Sequence, residues 1–169
     1  MKTISQFGGV LLALFLCLFL LPVPAGAEES GTIGDSNVSW SLNGEGTLTI
    51  SGTGAMPAAN SASDWPWYKL SLEGDIDAVI IEDGVTSIGN YAFYNCTNLK
   101  EVTFAGGSQL KTIGARAFQN CSSLTSIEIP DSVTSIGDCA FQGCRAITKI
   151  AIPASVTSIG NYAFQNCIT

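Results

Sequence analysis

The sequence predicts an α/β repeat solenoid with parallel strands, short helical turns and an N-terminal β-hairpin cap. The first observation is a block of the form Val-Thr-Ser-Ile-Gly-x-x-Ala-Phe-x-x-Cys, which occurs four times with small variations. The isoleucines of these blocks stand 25, 23 and 23 residues apart, at Ile88, Ile113, Ile136 and Ile159. The second observation is an alternating apolar and polar segment between consecutive blocks. The third is the short period itself, which is typical of stacked repeats and leaves too little chain for a full crossover helix.

The main strand of each coil is predicted in the alternating segments at residues 99–104, 124–129 and 147–152. Their last four positions alternate apolar and polar and are enriched in β-branched residues, as in half-buried strands. Pro130 and Pro153 end two of them. The coil then continues through a short second strand in Val-Thr-Ser-Ile, a glycine turn and a helical turn in Ala-Phe-x-x-Cys. Stacking such coils pairs each strand in parallel with its neighbours and buries one apolar row.

The coil at residues 124–144 shows the predicted division between interior and surface. Eight apolar residues are expected to face the interior: Leu124, Ile127, Ile129, Val133, Ile136, Ala140, Phe141 and Cys144. The polar residues expected to face solvent are Thr125, Ser126, Glu128, Asp131 and Ser135. The glycines that follow the isoleucines are Gly89, Gly114, Gly137 and Gly160. They predict either a positive φ or a close approach between coils. The two extra residues of the first interval are assigned to a loop at residues 106–109, because loops tolerate insertions.

Residues 1–27 have the features of a secretory signal peptide. Lys2 supplies the positive region, residues 10–21 form an apolar run, and Ala25-Gly26-Ala27 matches a cleavage pattern that places the cut between Ala27 and Glu28. A bilayer span needs about 20 helical residues, so we expect no transmembrane span in the mature chain. An uncleaved anchor is the alternative. The prediction is a secreted or cell-surface protein with bacterial-type export.

Residues 28–74 are predicted to form a β-rich cap, and residues 75–169 about four repeats, the last incomplete. Alternating runs at residues 40–42 and 47–50 flank the turn sequence Asn-Gly-Glu-Gly, which indicates a hairpin. Trp65, Trp67 and Tyr68 either cover the first coil, which an open solenoid end requires, or form a platform for stacking sugars. Because the chain stops at Thr169, before the main strand of its last repeat, we expect a fragment of a longer product.

Composition argues against several classes of function. Only 12% of residues are charged and the net charge is -7, so binding by phosphate neutralisation, and with it nucleic acid, is not expected. The sequence has no histidine, the usual general base and a common metal ligand. No catalytic residue, metal or cofactor is therefore expected. The acidic residues between 73 and 83 are either a solvated edge or calcium ligands, although their order does not match an EF-hand.

Four cysteines occupy the same position of the repeat, at Cys96, Cys121, Cys144 and Cys167. Their Cβ vectors are expected to point the same way, which disfavours disulfide geometry. A buried ladder of free thiols is the expected arrangement, with disulfides as the alternative. Cys139 stands where other repeats have Tyr or Arg, and it is the cysteine most suited to be an exposed, reactive thiol.

The pattern Leu-x-x-Ile-x-Ile-Pro-x-Ser-Val-Thr-x-Ile-Gly-x-x-Ala-Phe-x-x-Cys resembles the BspA-type leucine-rich repeat family of bacterial and some protist surface proteins. The resemblance covers residues 79–167, and the tryptophan-containing segment before it also resembles the one that precedes these repeats in exported bacterial proteins. It implies a leucine-rich-repeat solenoid and extracellular recognition, often adhesion to host components, without a catalytic residue.

A binding module is the first functional prediction, with an extracellular protein or glycan as partner. The expected binding face consists of polar strand positions: Lys100, Glu101, Thr103, Thr125, Ser126, Glu128, Thr148 and Lys149. One alternative is a non-catalytic spacer or targeting module of a larger secreted enzyme. Another is carbohydrate binding by Trp65, Trp67 and Tyr68.

Overall fold

The structure is a computed structural model that describes residues 28–167. Residues 1–27, the predicted signal peptide with its cleavage position after Ala27, lie outside the described residues, as do Ile168 and Thr169. The N-terminal part contains β1 (Glu29–Thr32), β2 (Val38–Leu42), β3 (Thr47–Gly52), β4 (Gly54–Ala55), a 3-10 turn (Ala62–Asp64) and α1 (Pro66–Lys69). The repeats contain β5 (Ala78–Ile81), β6 (Val85–Ile88), β7 (Glu101–Phe104), β8 (Thr112–Ile113), β9 (Ser126–Glu128), β10 (Ser135–Ile136), β11 (Lys149–Ala151) and β12 (Ser158–Ile159).

Two sheets run along the solenoid, and each coil contributes one strand to each. The seven-stranded sheet has the order β1-β2-β3-β5-β7-β9-β11, and the five-stranded sheet has the order β12-β10-β8-β6-β4. All pairings between coils are parallel, with equivalent residues opposite each other, as in Val79 with Val102 and Ile136 with Ile159. The predicted parallel-strand repeat solenoid is therefore confirmed.

The predicted hairpin forms between β2 and β3 and continues the larger sheet. β2 and β3 pair antiparallel with Trp40 opposite Ile50, and β3 then pairs in parallel with β5, placing Ile50 opposite Ile81. The inward positions Trp40, Leu48 and Ile50 are 4%, 0% and 0% exposed. The hairpin thus pairs with the exposed strand edge of the first coil through hydrogen bonds between β3 and β5, and it covers the apolar interior of that coil, as a cap must.

The Ala-Phe-x-x-Cys segments are successive turns, whereas the sequence predicted helical turns. In the first repeat, Ala92, Tyr94 and Cys96 donate their N–H groups to the carbonyls three residues earlier. The intervening N–H groups of Tyr91, Phe93 and Asn95 donate to the next coil, to the carbonyls of Ala115, Ala117 and Gln119 at 2.9, 2.7 and 2.8 Å. Half of the backbone N–H groups in this segment therefore bond to the next coil, so they are not free to form the consecutive hydrogen bonds of a helix.

The repeated glycines lie where the coils approach closely. A Cβ at Gly137 would lie 2.5 Å from the Ala115 backbone nitrogen, and one at Gly114 would lie 2.7 Å from that of Asn90. None of the four has a φ in the left-handed region, so close approach, one of the two predicted reasons, accounts for them. Left-handed backbone occurs instead at other turn positions, such as Tyr91 and Asn95, both with φ of 57°.

The interior is apolar along the whole solenoid. All eight residues predicted to face inward between 124 and 144 are buried, with Ile129 the most exposed at 7%. A stack of aromatic rings runs through Phe93, Phe118, Phe141 and Phe164, with centroids 5.1, 5.2 and 5.5 Å apart. Each such ring buries a large apolar area, and removing one costs about 3–5 kcal/mol. Among residues 28–167, no helix has the length and apolar content to cross a bilayer.

Candidate binding surface

The eight residues of the predicted binding face lie together on the outer side of the larger sheet. We call this set the polar face: Lys100, Glu101, Thr103, Thr125, Ser126, Glu128, Thr148 and Lys149. All eight are exposed, and they belong to or directly precede β7, β9 and β11. The register places Glu101 beside Ser126 and Ser126 beside Lys149. Their role in binding stays a prediction.

Strand alternation accounts for four residues of this face, Glu101, Thr103, Ser126 and Glu128, whereas Lys100, Thr125 and Thr148 lie just before the strands. Val102 and Ile127 point inward and are 6% and 3% exposed, so their neighbours along the strand point outward. Backbone bonds between coils hold the start of each strand, because the N–H of Thr125 donates to the Lys100 carbonyl at 3.3 Å and that of Thr148 to the Thr125 carbonyl at 3.2 Å. The face is therefore supported by regular, rigid backbone.

Lys100 pairs with Asp77 of the preceding coil, with Nζ 2.9 Å from Oδ2. The two side chains are 64% and 44% exposed, so the pair contributes little to stability. Its effect on the surface is local: the Lys100 ammonium is directed toward the first coil. The carboxylates of Glu101 and Glu128 have no ion pair within the described residues.

A groove of about 680 Å³ lies over β7 and β9 and includes four members of the polar face. Its floor consists of strand residues, including Glu101, Thr103, Ser126 and Glu128. Its walls are two loops that follow these strands, and they contribute Ala105, Gly106 and Ser108 on one side and residues 129–132 on the other. The groove is thus a concave part of the polar face.

The first wall is the loop that carries the two extra residues of the first interval. The Gly107 N–H donates to Asp83 Oδ1 at 3.0 Å, and the Ser108 N–H donates to the Ala105 carbonyl at 3.0 Å. Asp83 belongs to the preceding coil, so this contact fixes the loop against the solenoid. Repeat spacing predicts the insertion here but not a site, and Pro130 and Ser132 were not predicted as groove residues. The irregular repeat spacing was the signal that pointed to this position.

The alternative aromatic sugar site does not fit the structure. Trp65 and Trp67 are 1% and 0% exposed, and their indole N–H groups donate to the carbonyls of Asn90 at 2.9 Å and Ala92 at 2.7 Å. Tyr68 is partly buried, and its hydroxyl donates to the Tyr94 carbonyl. Stacking a sugar needs an open aromatic face, which neither indole offers. These residues instead pack against the first repeat.

The repeat cysteines form a buried row of free thiols. Cys121, Cys144 and Cys167 each direct Sγ to a phenylalanine carbonyl of the preceding coil, at 3.1, 3.1 and 3.0 Å. Burial raises the pKa of the Cys96 and Cys144 thiols to about 12. All five cysteines of the described residues are free, and Cys139 is the one that is partly exposed.

The acidic residues between 73 and 83 are dispersed in separate contacts. Asp77 pairs with Lys100, and Asp83 accepts the Gly107 N–H. Within the described range, no three His, Cys, Asp or Glu side chains are grouped so as to hold a metal ion. The acidic residues between 73 and 83 therefore do not supply such a group of side chains for a calcium ion.

Comparison with known proteins gives one family match. The model of the BspA type leucine rich repeat region matches residues 71–169, in six copies. No match was found among curated proteins.

Solved structures with the same fold include three bacterial proteins. A leucine-rich repeat protein from Bacteroides ovatus is 37% identical with a TM-score of 0.51, covering 56% of this chain and 24% of that one. This chain therefore matches only about a quarter of the length of that protein. The Treponema pallidum leucine-rich repeat protein is 24% identical with a TM-score of 0.56, covering 81% and 68% of the two chains. The pneumococcal vaccine antigen PcpA is 18% identical with a TM-score of 0.50, covering 83% and 42%. The last two are similar in fold alone.

Proposed function

Because this chain belongs to the BspA-type leucine-rich repeat family, we propose that it is a protein-interaction module that works outside the cell through its polar face. The family typically mediates protein interaction. The module has no catalytic activity of its own, and adhesion to an extracellular protein or glycan is its role. The observation that carries this proposal is the groove over β7 and β9, because it joins exposed polar side chains to a shaped, rigid surface.

The location outside the cell rests on the sequence of residues 1–27, which has the features of a signal peptide. The thiol row is compatible with export. The four repeat cysteines are buried, and buried apolar surroundings keep thiols protonated and inert. Export to an oxidising compartment therefore does not force these cysteines into disulfides.

The mode of binding follows from the side chains on the face. Outside the groove, the face carries the small side chains of Thr125 and Thr148, which directly precede β9 and β11, together with Lys100 and Lys149. Small side chains give low affinity per coil, and several coils that act together raise the avidity. The polar face already spans three coils, so we expect one partner to contact more than one strand.

Retention of the full chain on purified collagens, laminin and a glycan array tests the proposal. We expect retention on at least one of these surfaces, reduced at least about tenfold by Thr103→Arg, which places a bulky cation in the groove. Thr97→Arg is the matched control, because Thr97 is also exposed but lies in the turn after Cys96. The proposal is wrong if no surface retains the chain, or if both substitutions reduce retention equally.

A further inference from the structure

We propose that the groove over β7 and β9 accepts an extended polypeptide segment that carries lysine or arginine side chains. The inference rests on the proposed function and specifies the chemistry of its partner. It depends on three features of the groove: the sign of its charges, the absence of a lining cation, and hydroxyl groups that suit a backbone.

Three carboxylates line the groove, those of Glu101, Glu128 and Asp131. None of the three has an ion pair within the described residues. Glu101 lies on β7, Glu128 on β9, and Asp131 in the loop that forms the second wall. The negative groups therefore occur on the floor and on one side of the same groove. Charges that face each other across a groove favour a partner of the opposite sign and disfavour one of the same sign.

Basic side chains near the groove are not part of its lining. No lysine or arginine is among the lining residues. Lys100 is directed to Asp77, with Nζ 2.9 Å from Oδ2, and Lys149 lies one strand away on β11. Within the described residues the groove carboxylates therefore have no cationic partner, and Glu101 Oε1 accepts a hydrogen bond from the Thr103 hydroxyl at 3.3 Å. Acidic glycans, which carry carboxylate or sulfate groups, would meet repulsion here.

Hydroxyl groups between the carboxylates favour a polypeptide backbone as the part that lies along the floor. Ser126 and Ser132 line the groove together with Thr103, and hydroxyls can both donate and accept hydrogen bonds. A peptide supplies N–H donors and carbonyl acceptors at each residue, whereas a small cation supplies neither acceptors nor length.

The groove is also held in shape before a partner arrives. Asp83 fixes the first wall through the Gly107 N–H at 3.0 Å. In the second wall, the Val133 N–H donates to the Pro130 carbonyl at 3.0 Å, which closes a turn. Preformed walls reduce the entropy lost on binding. An extended segment can therefore be bound without reordering the solenoid.

The test measures fluorescence anisotropy of a labelled peptide of alternating lysine and serine, titrated with the full chain. We expect binding that weakens at higher ionic strength and that falls at least about fivefold in Glu101→Gln and in Glu128→Gln. Glu45→Gln and Glu82→Gln are matched controls, since both residues are exposed and lie outside the groove. Each variant changes the net charge equally, so the comparison separates the groove from general attraction to an acidic chain. A peptide of alternating glutamate and serine should not bind.

Three outcomes would overturn the inference, two of them in the peptide titration. One is no binding of the lysine peptide, and the other is equal weakening in all four variants. Retention on collagen, laminin or glycans that survives in Glu101→Gln and Glu128→Gln would also overturn it while leaving the proposed function in place. If the unsubstituted chain binds the lysine peptide but is retained on none of the collagen, laminin and glycan surfaces, the proposed function is contradicted instead.

Discussion

Trp67 stacks on Phe93, with ring centroids 5.8 Å apart and planes inclined by 10°. Phe93 is the first ring of the phenylalanine stack, so this contact makes the cap a continuation of the solenoid interior. The Trp67 indole also donates to the Ala92 carbonyl at 2.7 Å. The cap and the first repeat therefore share one core.

Replacing Trp67 with alanine should destabilise the chain by about 3–5 kcal/mol, because it removes a fully buried ring and leaves a cavity. The Ala92 carbonyl would also lose its partner. Urea unfolding followed by circular dichroism measures the change. Tyr162→Ala is the control, since that side chain is 65% exposed, and an equal loss in both variants would contradict the shared core.

Gly137→Ala should destabilise by about 1–3 kcal/mol, as expected when a methyl group is forced into a packed contact. Its Cβ would lie 2.5 Å from the Ala115 backbone nitrogen. At Gly106, a Cβ would meet nothing within 4 Å, and Gly106→Ala should change stability by less than about 0.5 kcal/mol. Thermal unfolding of the two variants compares these effects directly, and similar melting temperatures would rule out close coil approach as the role of Gly137.

Alkaline pH should weaken the fold through the thiol row. Burial raises the pKa of Cys96 and Cys144 to about 12, whereas an unfolded thiol titrates near about 8.5. The stabilising contribution is therefore complete below about pH 8.5 and is lost as the pH rises toward 12. Each thiol should contribute a slope of up to about 1.4 kcal/mol per pH unit in that window.

Urea unfolding between about pH 8.5 and 9.5 isolates the thiols from tyrosines and lysines, which titrate higher. Cys144→Ala should reduce the slope of unfolding free energy against pH, because it removes one of the buried thiols. An unchanged slope in Cys144→Ala would contradict the account of the buried row.

Disrupting the contact between Asp83 and Gly107 should loosen the groove wall without unfolding the solenoid. In Asp83→Ala the Gly107 amide loses its acceptor at 3.0 Å, and its hydrogen exchange should accelerate at least about tenfold, which corresponds to about 1.4 kcal/mol. Exchange of the Val102 amide on β7 should not change. Uniform acceleration at both amides would mean that Asp83 stabilises the whole coil.

The inward positions were predictable because apolar periodicity alone determines them. Leu124, Ile127 and Val133 face the core as their spacing predicts. The turn conformation was not predicted, because an Ala-Phe-x-x-Cys segment has no local feature that excludes a helix. The asparagines Asn95, Asn120 and Asn166 were an overlooked signal: all three are left-handed, and asparagine tolerates that region better than most residues.

The polar face was predictable to the same degree, since strand alternation places Thr103 and Glu128 outward. The groove was not, because its wall depends on a contact between Asp83 and Gly107 across 24 positions of the chain. Repeat spacing indicates where extra residues lie but not which earlier side chain binds them. The burial of Trp65 and Trp67 likewise depends on how the cap docks on the first coil.

Carboxyl footprinting of the full chain, with and without the peptide of alternating lysine and serine as the bound partner, tests the central claim most directly. A carbodiimide labels exposed carboxylates, and mass spectrometry compares the rates at Glu101 and Glu128 with those at Glu45 and Glu82, all four of which are exposed. The account predicts that the partner slows labelling of Glu101 and Glu128 at least about fivefold and leaves Glu45 and Glu82 unchanged. Protection at Glu45 or Glu82 with unchanged labelling of Glu101 and Glu128 would contradict it.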